Sequence, residues 1–230
     1  MEYPQDTKET IIKYSNFLKD KKVVLVGPSP HMIQSGFGKL IDSYDVVVRV
    51  NKGYKISKDI EIDLGKRTDV LYQTMLQQLG LGTTMPIDEL KDKIKWICAS
   101  FPDKKHKSFI KEFIKFNNNR INFHIIDKEY WESLKDKTDV PHAGTVAIFD
   151  LLKHDIKELY ITGITFYQVK GEGNSFYYKG YHKRVNKSKW VKGTKHDCFK
   201  AFNYFKKTSK KDIRIKCDFM LERLLNNGKK

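Results

Sequence analysis

The sequence predicts an α/β fold: a Rossmann-like sandwich of about seven mostly parallel strands flanked by helices, in a single domain spanning residues 1–230. Short apolar runs rich in β-branched residues recur along the chain, and helix-like stretches separate them, the alternation of a parallel sheet covered by helices. The 230 residues, 40% apolar and 13% aromatic, also hold enough material for one hydrophobic core.

Strands are expected at Val23–Val26, Val46–Val50, Asp69–Tyr72, Trp96–Ala99, Phe123–Ile126, Leu159–Thr162 and Ile213–Ile215. Apolar residues at helical spacing fill the gaps at Lys8–Lys19, Met32–Ile41, His106–Phe116, Lys128–Leu134, Gly144–Lys153, His196–Lys206 and Asp218–Leu225. The expected order is βαβ throughout, without internal repeats. Residues 168–195 break the pattern. They are rich in Gly, Lys and Tyr, and a connection this long in a compact domain is usually functional.

Lys and Arg outnumber Asp and Glu by 44 to 28, a net charge of +16 that favours anionic partners: nucleotides, acidic sugars, nucleic acid, or phospholipid headgroups in a peripheral membrane contact. The basic residues are scattered and form no arm, which makes nucleic acid the weaker candidate. Cys98, Cys198 and Cys217 share no metal-ligand spacing, and their odd number leaves at least one thiol unpaired, so a reducing, cytoplasmic setting is expected. No window approaches the ~20 apolar residues of a membrane span.

Four segments carry chemistry. The first strand ends in Gly27-Pro28-Ser29-Pro30, where Gly27 would let the backbone approach a nucleotide and Ser29 would supply a hydroxyl; neither a dinucleotide fingerprint nor a P-loop is present. The second strand ends at Asn51, whose carboxamide can bridge a donor and an acceptor on a base or ribose. Alternating carboxylates at Asp59, Glu61 and Asp63 are read as surface polarity without metal binding. In Pro141-His142-Ala143-Gly144-Thr145 small residues open a helix, and the amides of Ala143, Gly144 and Thr145 would face a phosphate or ribose; the strand behind that helix ends at Gly163. Finally, His196 opens a helix after the long aromatic segment, where an imidazole that titrates near neutrality can take a proton from a hydroxyl. His182 and Tyr181, upstream in that segment, can meet a leaving phosphate.

Together these segments resemble the sialyltransferase family of glycosyltransferases. VVLVGPSP, GFGKLIDSYDVVVRVN and DLGKRTD resemble the family's long motif, which brackets the donor nucleotide; PHAGTVAIFDLLKHDIKELYITGITF resembles its short motif; and GTKHD-x-F resembles the very short motif with its catalytic His. The Tyr-rich run stands where the family keeps its third motif, with Tyr177-Tyr178 and Tyr181-His182 both candidates. Three departures are visible. Pro28 occupies the place of the family's nucleotide-binding Asn, Ala143 stands where a hydroxyl residue is usual, and the cysteine pair of animal members is missing from both larger motifs, as suits a microbial or viral relative.

The resemblance implies the sialyltransferase variant of the type A glycosyltransferase fold. It also implies inverting transfer of an acidic sugar from a CMP-activated donor, CMP-sialic acid or a related CMP-sugar, to a hydroxyl of a glycan or glycolipid. His196 would be the base, His182 or Tyr181 would attend the leaving group, and neither a metal nor any other cofactor would be needed. A CMP-Kdo-dependent transferase fits the same residues. A non-catalytic basic module for nucleotides, nucleic acid or acidic glycans is the alternative outside enzymology, and methyl transfer from a nucleoside cofactor is weaker because the glycine-rich first loop and acidic second-strand end of that class are not both visible.

Overall fold

All seven expected strands form, each within two residues of its predicted bounds: β1 (Lys22–Val26), β2 (Val46–Val50), β3 (Val70–Gln73), β4 (Trp96–Ala99), β5 (Asn122–Ile125), β6 (Glu158–Thr162) and β7 (Ile215–Cys217). The computed structural model describes residues 8–169 and 197–226. The strands make one parallel sheet in the order β5-β4-β3-β2-β1-β6-β7. β2, β3, β4 and the last three residues of β5 are buried throughout, as a sheet covered on both faces requires.

One face carries α1 (Lys8–Leu18), α6 (Lys128–Thr138), α7 (Ala143–Leu152) and α8 (Cys198–Ser209), packed on alternate strand residues such as Val23, Leu25, Val48, Tyr72 and Leu159. The opposite residues of β1 and β2, Val24, Val26 and Val47, pack on Met32, Ile41 and Leu64. Leu71, Ile97, Phe123 and Ile125 continue that second core against Ile110 and Phe113 of α5 (Lys107–Asn117). α9 (Phe219–Asn226) follows the last strand.

Two helical expectations are corrected. No continuous helix runs from Met32 to Ile41; a single 3₁₀ turn, Pro30–Met32, precedes α2 (Gly38–Asp42). Gln34 and Gly36 between them take left-handed φ values of 66° and 67°, which a right-handed helix excludes. Asp63 holds that bend, accepting hydrogen bonds from the amides of Gln34 and Gly36 at 2.8 Å each. The order is also not βαβ throughout. The β2–β3 and β3–β4 crossovers use 3₁₀ turns and the one-turn helices α3 (Glu61–Leu64) and α4 (Ile87–Leu90). Their sequences carry too few apolar residues at i, i+3 and i+4 to cover a face with a longer helix.

Candidate active site

Strand order reverses at β1, which pairs with β2 on one side and β6 on the other. Ligands of open α/β sheets bind beyond the carboxyl ends of the strands at such a point. A cavity of about 610 Å³ opens there, lined by Ser29 after β1, Asn51 after β2, Thr74 after β3, Gly163 after β6, and Ala143, Gly144 and Thr145 at the start of α7. That volume is in the range of small-ligand sites.

Each lining residue is placed by local chemistry. Pro28 and Pro30 keep the chain after β1 extended, and the Ser29 amide donates to the Gly163 carbonyl at 3.0 Å. The Ser29 hydroxyl lies 2.7 Å from His31 Nδ1, while His31 Nε2 lies 3.0 Å from Asp218 Oδ2. Asp218 Oδ2 also accepts from the Thr162 hydroxyl and the Gly163 amide. Burial by itself would raise the Asp218 pKa, but the His31 contact and the amides of Leu221 and Gly163 outweigh it and hold the carboxyl below its ordinary value.

Asn51 sits in the left-handed region at φ 50°, which Asn tolerates better than most residues, and its Oδ1 accepts from the Thr74 amide at 3.2 Å. The Oδ1 is therefore engaged within the fold, which narrows the two-way bridge expected from the sequence toward donation by the NH₂. Arg49, two residues earlier, is fully buried and turned away; its guanidinium donates to the carbonyls of Arg67 at 3.0 Å and Leu64 at 2.6 Å. The rest of the long-motif segment is likewise structural, with Asp42 accepting from the amides of Lys66 and Arg67 and Asp69 from that of Val47.

Gly27 does not line the cavity. A Cβ there would lie 2.2 Å from the Gly163 carbonyl oxygen and 2.3 Å from Ile164 Cγ1, so the missing side chain serves the close approach of the β1 and β6 ends. Gly163 answers it with φ 69° and an equally crowded Cβ position.

At α7 the first turn leaves backbone amides without intrahelical partners, and its residues Ala143, Gly144 and Thr145 line the cavity. His142, the cap residue, has Nε2 3.5 Å from Cys198 Sγ and its ring 5.0 Å from that of Tyr167. Cys198 also lines the cavity, and burial pushes its thiol up to about 11. Asp197 caps α8 by accepting from the Lys200 amide at 2.8 Å. His196, His182 and Tyr181 lie outside the described residues.

Several lining residues gave no signal in the sequence. Thr74 carries a buried hydroxyl that has no hydrogen-bond partner among the described residues. His106 is held 2.7 Å from Asp103 and stacks on Phe101 with ring centroids 5.1 Å apart. Trp131 and the cations Lys104, Lys105 and Lys135 complete that side. They come from the region between the matched motifs, where only proximity in the fold reveals them.

The model of glycosyltransferase family 29 (sialyltransferase) matches residues 12–154, well over half of the chain. The chain belongs to this sialyltransferase family. It is therefore a glycosyltransferase, with the type A-like fold of the family. Among solved structures it is similar to a mammalian sialyltransferase in complex with Gal-beta-1-3GalNAc-ortho-nitrophenol, at 13% identity and a TM-score of 0.59, covering 93% of this chain and 74% of that one. A second mammalian sialyltransferase structure shares 15% identity at a TM-score of 0.54, covering 94% of this chain and 80% of that one. No curated protein sequence matches. Among the described residues of this glycosyltransferase, no helix is long and apolar enough to cross a membrane.

Proposed function

We propose that the chain is a single-domain, inverting, metal-independent sialyltransferase that moves an acidic sugar from a CMP-sugar to a glycan or glycolipid hydroxyl, in the cytoplasm. The observation that carries this reading is the convergence of Ser29, Asn51 and the α7 amides on one cavity at the strand-order switch. The NH₂ of Asn51 would donate to an acceptor on the nucleoside, and the Ser29 hydroxyl, held by His31, would meet the ribose or phosphate. The α7 amides at Ala143, Gly144 and Thr145 would receive the phosphate.

In the transfer, His196 accepts the acceptor's hydroxyl proton as the oxygen bonds to the anomeric carbon from the face opposite the nucleotide. The bond from that carbon to the phosphate oxygen breaks, and CMP departs with the electron pair. Hydrogen bonds from His182 or Tyr181, with the α7 amides, stabilise its single phosphate, the task a cation performs for diphosphate donors. Cys198, two residues beyond His196, lines the cavity, which supports placing the base there.

The test compares wild type with His196→Ala. The variant should lose transfer while calorimetry shows CMP binding within about twofold of wild type; unchanged turnover would remove His196 from the role. A melting-temperature screen with CMP, UMP, AMP, CMP-sialic acid and CMP-Kdo should show cytidine selectivity and identify the sugar. Equal stabilisation by all of these nucleotides would reject the donor assignment.

A further inference from the structure

On the sheet face that carries α7, about 10 Å along that helix from its cavity-lining start, a second polar group lies wholly in the core. Asp150 of α7, His154 just beyond it and His124 of β5 are 1%, 8% and 4% exposed, and one ligand atom from each lies within 4.8 Å of the others. His124 Nε2 is 3.5 Å and His154 Nε2 3.9 Å from Asp150 Oδ2. Among the described residues, neither His124 ring nitrogen nor His154 Nε2, all buried, has a hydrogen-bond partner.

We propose that His124, Asp150 and His154 bind one divalent transition-metal ion of the Zn²⁺ type, as a structural staple joining α7 to β5. A buried carboxylate needs a positive counterpart. Among the described residues no Lys or Arg pairs with Asp150; the groups around it are the two imidazoles, Tyr14, Tyr72 and Cys98. A phenol or a thiol carries no positive charge in either protonation state, so none of those three is the counterpart. The counter-charge is then a proton on an imidazole or a metal ion.

The geometry favours the ion. An imidazolium in a dry interior closes on a carboxylate to about 2.8 Å, whereas these nitrogens stand off at 3.5 and 3.9 Å. Ligands at ~2.0–2.2 Å around a tetrahedral Zn²⁺ stand roughly 3.3–3.5 Å from each other. The three atoms stand within 4.8 Å of one another, so the rings would close inward on binding, with a water or the second carboxylate oxygen in the fourth position. Two of the three ligands, Asp150 and His154, also have the polar partner that orients a metal ligand. Tyr72 donates to Asp150 Oδ2 at 2.7 Å and itself meets the Tyr14 hydroxyl at 2.9 Å, and Ser15 lies 3.0 Å from His154 Nδ1, which leaves Nε2 facing the carboxylate. Tyr14 stacks on His124 with centroids 4.5 Å apart and walls off that side.

The full chain, stripped with a chelator, should take up one Zn²⁺ per chain in competition with a chromogenic chelator. At free Zn²⁺ about 100 times Kd, melting should rise by roughly 5–10 °C. Asp150→Asn should weaken binding at least tenfold; Ser15→Ala keeps all three ligands and should weaken it about tenfold. If the Asp150 variant fails to fold, Co²⁺ added to the stripped wild type decides: ligand-field bands without a thiolate charge-transfer band support the site. A stoichiometry far below one, equal affinity in Asp150→Asn, or a thiolate band would overturn it. None of these readouts depends on transferase activity, so the outcome is separate from that of the donor assignment.

Discussion

Asn51 is in the left-handed region and gives its Oδ1 to Thr74, so substitutions there have two separable effects. Asn51→Gly removes the carboxamide without backbone strain and should weaken CMP binding about fivefold, the ~1 kcal/mol of a lost hydrogen bond. Asn51→Ala should match it in affinity but melt lower still, because Ala in that conformation costs a further ~1 kcal/mol. Calorimetry and melting curves on both variants separate the two, and wild-type affinity in Asn51→Gly would release Asn51 from any ligand role. Gly27 shows the limit of single-residue reasoning. A glycine after a strand is compatible with ligand approach or with backbone crowding, and only the 2.2 Å clearance to Gly163 decides for crowding. Gly27→Ala should therefore act on stability, lowering it by about 1–3 kcal/mol as overpacking does, with nucleotide affinity in the surviving folded fraction unchanged.

The strands were legible because each is a short run with apolar residues, and the central three, β2, β3 and β4, are buried throughout. Less legible were the elements held by long-range polar contacts. The break before α2 depends on Asp63, 27 residues beyond Gly36, and no local periodicity reports it. The ends of β6 and β7 depend in the same way on Asp218, which ties Thr162, Gly163 and His31 together. Because the folded state holds this carboxyl below its ordinary value of 3.8, the protonated form is the worse fit to the fold. Its stabilisation is complete above that value and is lost as pH falls through the lowered one. Compared from pH ~5 downward, wild type should exceed Asp218→Asn in stability by a constant margin until about pH 4. Below that the margin should shrink. Urea denaturation at a series of pH values measures it, and a margin that grows toward low pH would contradict the role given to Asp218.

At the scale of the molecule, net charge and the cavity are linked by position and not by total. The +16 is spread over the surface, and most of it stands too far from the cavity to matter at ordinary ionic strength. Lys104, Lys105 and Lys135 line the cavity itself, accompanied by Asp103 and Glu132, whereas Lys19, Lys21 and Lys22 are exposed at the amino end of β1, across the sheet from it. The motif segments made the nucleotide side of the site readable, yet this basic wall comes from the stretch between those motifs and became visible only when folding brought it to the same cavity as α7. An anionic ligand should feel the first group and ignore the second. Replacing Lys104, Lys105 and Lys135 together by Ala should weaken CMP binding by roughly 1–2 kcal/mol at about 10 mM salt, a few tenths to 1 kcal/mol for each partly exposed charge. Replacing Lys19, Lys21 and Lys22 removes the same +3 and should leave affinity within error. Raising salt to about 1 M, where the screening length falls to ~3 Å, should bring wild type and the cavity variant together. If both triple variants lose equal affinity, the protein's overall field and not this wall draws the nucleotide in, and the cavity would owe its selectivity to Asn51 and the α7 amides alone.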